Sequence, residues 1–280
     1  MNGRAPGFTL VEFLVVAVLV IIILTGVYKL VVYQDQSGRQ ARVVTATQQT
    51  IRTTMQILQA ELREVSTSGG DILMASSDSV RIQTLRKSGF VCGPATTNKL
   101  DVWTMGDRFA TNDTILVFSD GPSATSMTDD VWRETFVTDT GTTSCANAVW
   151  PNSTVQRIGV YDDGVRANVR SGAPIRSIER LVYGNFMING NWYLGRRVGD
   201  LATLEPIIGP LASPANRGLV LQYYDTLNAL IPGANLTTAA GRRAIRRMRI
   251  TIVGATPGAA RPRNGSYVDS LTSDVYFRGN

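Results

Sequence analysis

The sequence predicts an α+β protein: one long N-terminal helix, whose first half spans a membrane, packs on a large antiparallel β-rich head. Two observations lead to this prediction. Residues 8–66 combine a long apolar run with a helical apolar stripe, whereas residues 67–280 alternate short β-branched and aromatic runs with Gly-, Pro- and Asn-rich turns. We therefore divide the chain into a short N-terminal segment (1–7), the N-terminal helix (8–66) and the head (67–280).

The composition argues against an enzyme. The 280 residues contain 28 Lys and Arg against 22 Asp and Glu, for a net charge of +6, and no His. Because His is the commonest general base and the commonest transition-metal ligand, its absence removes most catalytic and metal centres. No C-x-x-C pair and no phosphate-binding G-x-x-x-x-G-K segment occur. We expect no catalytic activity, no cofactor and no bound metal.

The apolar run over residues 8–28 predicts a transmembrane helix. At about 1.5 Å per residue it is about 31 Å long, which matches a bilayer core. A cleaved secretory signal needs a shorter run and a small-residue cleavage site, and none follows this run. An ordinary signal anchor fits the length but leaves Glu12 unexplained, since a carboxylate at the bilayer centre costs about 2.5–3.5 kcal/mol.

The residues before this run carry a second signal. Residues 7–12 read G-F-T-L-V-E and lead directly into the apolar helix. This segment resembles the class III signal of type IV prepilins, a short leader that ends in Gly and is followed by F-T-L-x-E. The resemblance implies that residues 1–7 are a leader peptide, and that a prepilin peptidase cleaves after Gly7 and methylates the new amine of Phe8. It also implies a bacterial inner-membrane protein with one span and its head outside the cytoplasm.

The same resemblance gives Glu12 a role in filament assembly. After cleavage, Phe8 carries a positively charged amine one helical turn from Glu12. In a filament the carboxylate reaches the amine of a neighbouring subunit, and an ion pair in a dry interface offsets the cost of the buried charge. The resemblance therefore implies that Glu12 sets the register of assembly. The alternative is a glutamate that extends to the lipid headgroups.

Residues 29–66 show the pattern of an amphipathic helix. Their apolar residues recur at spacings of three, four or seven, which places them on one face. This stripe is typical of a helix that packs on a sheet; a coiled-coil seam is the alternative. The segment S-T-S-G-G at residues 66–70 predicts the end of the helix. The stripe consists of Val44, Ile51, Met55, Leu58, Leu62 and Val65.

The head reads as short strands joined by turns. Asn189-Gly190 is the preferred pair for a type I′ hairpin turn, and Met248, Ile250 and Ile252 alternate with polar residues as in a half-buried strand. We predict nine strands over residues 80–85, 115–119, 131–137, 155–161, 181–188, 192–194, 219–224, 248–253 and 275–277.

The head also resembles the large minor pilins of the PilW type and the J-type pseudopilins of type II secretion. The similar segments are E-L-R-E-V at the end of the helix, I-I-G-P-L-A-S-P-A-N-R-G-L-V-L-Q-Y-Y-D, and the C-terminal V-Y-F-R-G-N. The resemblance implies a structural minor subunit at or near the tip of a pilus or pseudopilus. Its expected partners are other major and minor pilins or pseudopilins, the prepilin peptidase and the inner-membrane assembly platform.

Two cysteines, Cys92 and Cys145, complete the set of candidate structural residues. If the head lies outside the cytoplasm, they form one disulfide. Closing a loop of this length stabilises a fold by about 4 kcal/mol in the chain-entropy model. Two unrelated buried thiols are the alternative.

Two charged patterns suggest ligands. The acidic pairs Asp129-Asp130 and Asp162-Asp163 carry oxygen ligands for calcium but lack the spacing of an EF-hand, so solvated turns are the expected state. A basic segment suggests phosphate contacts and an alternative function, a DNA- or surface-binding tip subunit of a competence or adhesive pilus. A solvated strand edge is the simpler explanation of this segment. Its arginines are Arg242, Arg243, Arg246, Arg247 and Arg249.

Overall fold

The structure is a computed structural model that describes residues 10–93, 98–121, 129–145, 154–161, 169–199, 205–255 and 268–277. Within these ranges it contains one long helix, twelve strands, two short α-helices and one 3-10 helix. The helices are α1 (Leu10–Arg63), α2 (Gly233–Leu236) and α3 (Ala239–Arg243), and the 3-10 helix is Pro214–Asn216. The strands are β1 (Ile72–Ala75), β2 (Ser79–Val91), β3 (Lys99–Met105), β4 (Thr114–Ser119), β5 (Val131–Gly141), β6 (Val155–Val160), β7 (Pro174–Ile188), β8 (Asn191–Val198), β9 (Glu205–Leu211), β10 (Leu219–Tyr224), β11 (Arg247–Ala255) and β12 (Val268–Tyr276).

The predicted long helix and its packing face are confirmed. α1 continues without a break through Gly26 and Gly38 and ends at Arg63, three residues before the predicted end. Its apolar stripe packs on the sheet, so the coiled-coil alternative does not apply to this face. Two threonines that the stripe did not include, Thr47 and Thr54, are also buried. Each donates its hydroxyl to the carbonyl four residues earlier, at 3.0 and 2.7 Å, which satisfies the buried polar group.

All nine predicted strands overlap observed strands. The predicted hairpin turn is confirmed as well, because Asn189 and Gly190 both have positive φ, 50° and 78°, as a type I′ turn requires. Three strands were not predicted: β1, β3 and β9. β9 reads E-P-I-I-G-P-L, and its two prolines and glycine resemble a loop. The short helices α2 and α3 were also not predicted.

Two long strands, β2 and β7, run through the whole head. They pair side by side from Ser79 opposite Gly184 to Phe90 opposite Pro174. At one end of this pair, β3, β6, β5 and β4 close a ring in the order β2-β3-β6-β5-β4-β7. At the other end, the sheet continues through β1 on one side and β8-β9-β11-β10 on the other, with β12 beside β11. We call the first part the ring and the second the helix-bound sheet.

Each part has its own apolar core. The core of the helix-bound sheet contains the buried stripe of α1 together with residues from β1, β2 and β7–β12. Among the described residues, the core of the ring contains no residue of α1. It is built from β3–β6, from the adjoining ends of β2 and β7, from Phe109 between β3 and β4, and from Val169 and Ala173 just before β7. In chain order the ring is therefore an insertion between two paired strands of the helix-bound sheet.

The predicted disulfide is confirmed. Cys92 follows β2 and Cys145 follows β5, and the two residues are bonded with their Cα atoms 5.7 Å apart. Both flank strands of the ring, so the bond fastens the ring and not the helix-bound sheet.

Candidate assembly site

The N-terminal half of α1 makes no buried contact with the part of the head that the structure describes. Its apolar side chains are exposed from Leu10, at 81 %, to Tyr33, at 73 %, and buried positions begin only at Thr47. The segment is long and apolar enough to cross a membrane, and none of it is buried within the chain. An apolar surface of this size is stable only in lipid or against other proteins.

Glu12 lies in the first turn of this bare helix and is exposed. The N-terminal end of a helix carries a partial positive charge, which favours a carboxylate there. The chain thus carries one exposed carboxylate in the first turn of an apolar helix. The predicted cleavage and methylation residues, Gly7 and Phe8, lie outside the described residues.

The second half of α1 is fixed to the head by close packing and polar bonds. Gln59 Nε2 donates to Ser273 Oγ of β12 at 2.7 Å. At the C-terminal end of the helix, Arg86 of β2 bridges Glu61 at 3.2 Å and Glu179 of β7 at 2.7 Å. These three charged side chains are each less than one-third exposed, so the bridge ties α1 to both long strands.

The structure gives Arg242 a structural role. Its guanidinium donates to the carbonyl oxygens of Ile72 at 3.0 Å, Leu236 at 3.1 Å and Thr237 at 2.8 Å. These bonds join α3 to β1 and to the end of α2. A guanidinium that serves three backbone acceptors has few donors left for phosphate.

Arg246 is used in the same way. It donates to the backbone oxygens of Arg243 at 2.9 Å and Ile245 at 3.2 Å, and to Thr67 Oγ1 at 3.2 Å in the turn after α1. Arg242 and Arg246 together hold the 66–72 turn against α3. Arg243, between them in sequence, is exposed.

Arg247 and Arg249 lie on β11 and share one carboxylate. Each donates to Asp274 of β12 at 3.0 Å, and the Arg247 guanidinium lies 3.8 Å from the centre of the Tyr224 ring. Hydrogen bonding from Arg249, together with the charge of Arg247, lowers the pKa of the Asp274 carboxyl. Arg247 is buried in this stack.

The interpretation of this basic segment as a strand edge is wrong. β11 pairs with β10 through Leu219–Tyr224 on one side and with β12 through Val268–Tyr276 on the other. It is an interior strand, and Arg242 and Arg243 lie in α3. The arginines are clustered because the α3–β11 junction needs donors for backbone carbonyls and a counter-charge for Asp274.

The acidic pair Asp129-Asp130 shows no ligand cage among the described residues. Asp130 accepts a hydrogen bond from the Gly121 amide at 3.4 Å, and Asp162 and Asp163 lie outside the described residues. Among the residues that the structure describes, no group of three or more His, Cys, Asp or Glu is close enough to hold a metal ion.

Sequence reasoning missed the ring and its outer surface. Trp132, Phe136 and Tyr161 are 39–55 % exposed on the ring, with Phe136 and Tyr161 stacked at 5.1 Å. The alternation of Trp132, Glu134 and Phe136 along β5 is the signal that places them on one face. This alternation does not predict an exposed face, because an apolar face has the same two-residue period whether it points to solvent or to the core.

Comparison with other proteins adds no family. No protein-family model, no curated protein and no solved structure matches this chain.

Proposed function

We propose that this chain is a structural minor subunit of a type IV pilus or of a type II secretion pseudopilus. It is inserted in the bacterial inner membrane with its head outside the cytoplasm and is cleaved after Gly7. It then docks through α1 onto other pilins or pseudopilins near the filament tip. Its other partners are the prepilin peptidase and the inner-membrane assembly platform.

One observation carries this proposal: an apolar half-helix without buried contacts bears a single carboxylate, Glu12, in its first turn. A helix that only anchors a head needs the apolar surface but gains nothing from the charge, whose cost rises with depth to about 2.5–3.5 kcal/mol at the bilayer centre. A helix that docks in a bundle gains an ion pair from it. The G-F-T-L-V-E segment supplies the free amine that such a pair needs.

Mass spectrometry of the protein extracted from envelope membranes tests this function. We expect a mature chain that begins at N-methylated Phe8. As a control, Gly7→Val should leave the leader attached, because the peptidase requires Gly at this position in the family that the segment resembles. An intact Met1 terminus in cells with an active prepilin peptidase would contradict the proposal.

A second candidate function, a surface-binding tip subunit, is favoured by the ring. The ring has its own core, and its described residues contribute nothing to the core in which α1 packs, so it is available for a role beyond assembly. Four arginines of the basic segment already donate hydrogen bonds to other groups of the protein. DNA is therefore not the favoured ligand of such a tip subunit.

Deletion of the ring separates the two functions. Lys87 lies opposite Ser177 in the β2–β7 ladder, so residues 88–176 can be replaced by an Asn-Gly turn without breaking the remaining pairs. A purely structural subunit should still assemble without its ring. A surface-binding subunit should assemble but lose attachment of the filament to its target, measured by cell adhesion.

A further inference from the structure

We propose that the free edge of β12 is a docking site for an extended strand of a different subunit in the same filament. The inference rests on the proposed function, since it names the contact that the head makes when α1 docks. It is carried by the direction of the backbone groups of β12, by the lack of edge protection and by the position of β12 beside α1.

The register shows which backbone groups of β12 face outward. β11 and β12 form nine consecutive pairs without a bulge. The Phe277 amide, one residue beyond this ladder, donates to the Arg246 carbonyl at 3.0 Å, so odd-numbered residues bond toward β11. The Ser270 amide instead donates to the carboxylate of its neighbour Asp269 at 2.8 Å. The amides and carbonyls of even-numbered residues, Thr272 among them, therefore point to the open side.

This edge lacks the usual protection. Natural sheets block their edges with Lys, Pro, bulges or short strands. β12 is nine residues long and contains none of these. Of its two carboxylates, Asp274 is already neutralised by Arg247 and Arg249. In the part of the chain that the structure describes, β12 pairs with β11 alone.

The edge lies beside the helix that carries assembly. Thr47 of α1 lies at the level of Gly254, which is opposite Asp269, and Gln59 bonds Ser273. Between these two contacts α1 advances by twelve residues, about 18 Å, and β12 advances by four residues, about 14 Å. The helix and the strand therefore run in the same direction. A strand that pairs with β12 therefore lies next to any contact that α1 makes with the same partner.

This common direction excludes antiparallel pairing of two copies through β12. Antiparallel pairing of two β12 edges around a two-fold axis would point the two α1 helices in opposite directions. Helices inserted in one membrane point the same way. Because the proposed minor subunit docks on other pilins or pseudopilins, the occupant is an edge strand of a different pilin-like subunit, and its main-chain hydrogen bonds provide the affinity.

The experiment uses the full chain in the cells that naturally make it, with a photoreactive p-benzoylphenylalanine in place of Tyr276. Tyr276 is 69 % exposed at the end of the edge. The test variant is Thr272→Pro, which removes an outward amide but no bond to β11, and edge strands tolerate such a proline. The matched control, Thr272→Ala, keeps the amide and equally loses the hydroxyl contact with Thr251. Val268→Pro, at the exposed first residue of β12, is a second test variant should Thr272→Pro not fold, and Val268→Ala is its control.

We expect one crosslinked product whose second chain begins with a prepilin-type signal. Its yield should fall about tenfold in Thr272→Pro and stay unchanged in Thr272→Ala. Equal yields in the two variants, a product that contains only this chain, or no product would overturn the proposal. Methylated Phe8 together with any of these outcomes would leave the proposed function standing and remove only strand addition.

Discussion

Gly254 of β11 lies so close to Thr47 of α1 that a Cβ atom at residue 254 would stand 2.8 Å from Thr47 Cγ2. It would also stand 2.8 Å from Ile51 Cγ1. The spacing between the long helix and the sheet is therefore set by a residue without a side chain. Any larger residue at 254 has to push α1 away from β11.

Gly254→Ala should therefore destabilise the head. Insertion of one methyl group into a packed contact costs about 1–3 kcal/mol, because neither the helix nor the interior strand can move alone. The measurement is thermal unfolding of the full chain in detergent. The matched control is Gly141→Ala at the end of β5, where an added Cβ meets nothing within 4 Å. Equal melting temperatures for the two variants would show that α1 yields at this point.

Arg242→Gln should loosen the turn that follows α1. The substitution removes charged donors from the carbonyls of Ile72, Leu236 and Thr237, and an acceptor left without a partner costs about 1–3 kcal/mol. We expect faster hydrogen exchange in β1 and lower stability. Arg243→Gln changes the same charge at an exposed side chain and should be neutral. If both variants bound duplex DNA less tightly but remained equally stable, the arginines would serve nucleic acid instead.

The sequence predicts the parts of this fold that depend on local periodicity. The stripe of α1 is visible because Ile51, Leu58 and Leu62 repeat at helical spacing, and the Asn189-Gly190 turn is visible because few dipeptides adopt it. Thr47 and Thr54 are not predictable, since a threonine is buried only if its hydroxyl finds a carbonyl. The roles of the arginines depend on partners up to 179 residues away in the chain, and no local pattern contains such information.

The ring escapes prediction for a related reason. Its strands β3–β6 are individually ordinary, and closure depends on the pairing of β4 with β7 and of β3 with β2. The disulfide is predictable as a pair because the chain has only two cysteines. Its location on the ring follows only from the topology.

Asp274→Asn should change how stability depends on acid. The folded-state pKa of Asp274 is lowered from its ordinary value of 3.8, mainly by the hydrogen bond from Arg249. A lowered pKa means that the carboxylate stabilises the fold fully above about pH 4 and loses this effect as the pH falls through the folded-state value. The difference in unfolding free energy between the natural chain and Asp274→Asn should be constant from pH 5 to 7 and shrink below pH 4.

Asp35→Asn is the control for this titration. Asp35 pairs with Arg39 on the exposed face of α1, where both side chains are more than half exposed, and such pairs contribute little. The natural chain and this control should show nearly parallel profiles. A difference for Asp274→Asn that does not shrink in acid would mean that Asp274 acts through packing and not through its charge.

Glu12→Ala should separate membrane insertion from docking. The substitution removes a charge from an apolar span, so insertion should be unchanged or improved, and cleavage after Gly7 should persist. Docking should fail, because the amine of a neighbouring Phe8 loses its partner in a dry helix bundle. Removal of one partner of a buried ion pair costs about 3–5 kcal/mol, which lowers an association constant about a hundredfold or more.

Crosslinking between this subunit and other pilins, measured at equal membrane levels, reports this loss. Val15→Ala, one turn further along the same exposed helix, is the matched control and should crosslink normally, since it changes apolar surface but no charge. A loss in both variants would indicate that the apolar surface alone drives docking. Normal crosslinking of Glu12→Ala would mean that the carboxylate points to the lipid headgroups and does not set the register. The proposal then would lose the observation that carries it, because a helix that docks without its charge has no physical reason to retain one.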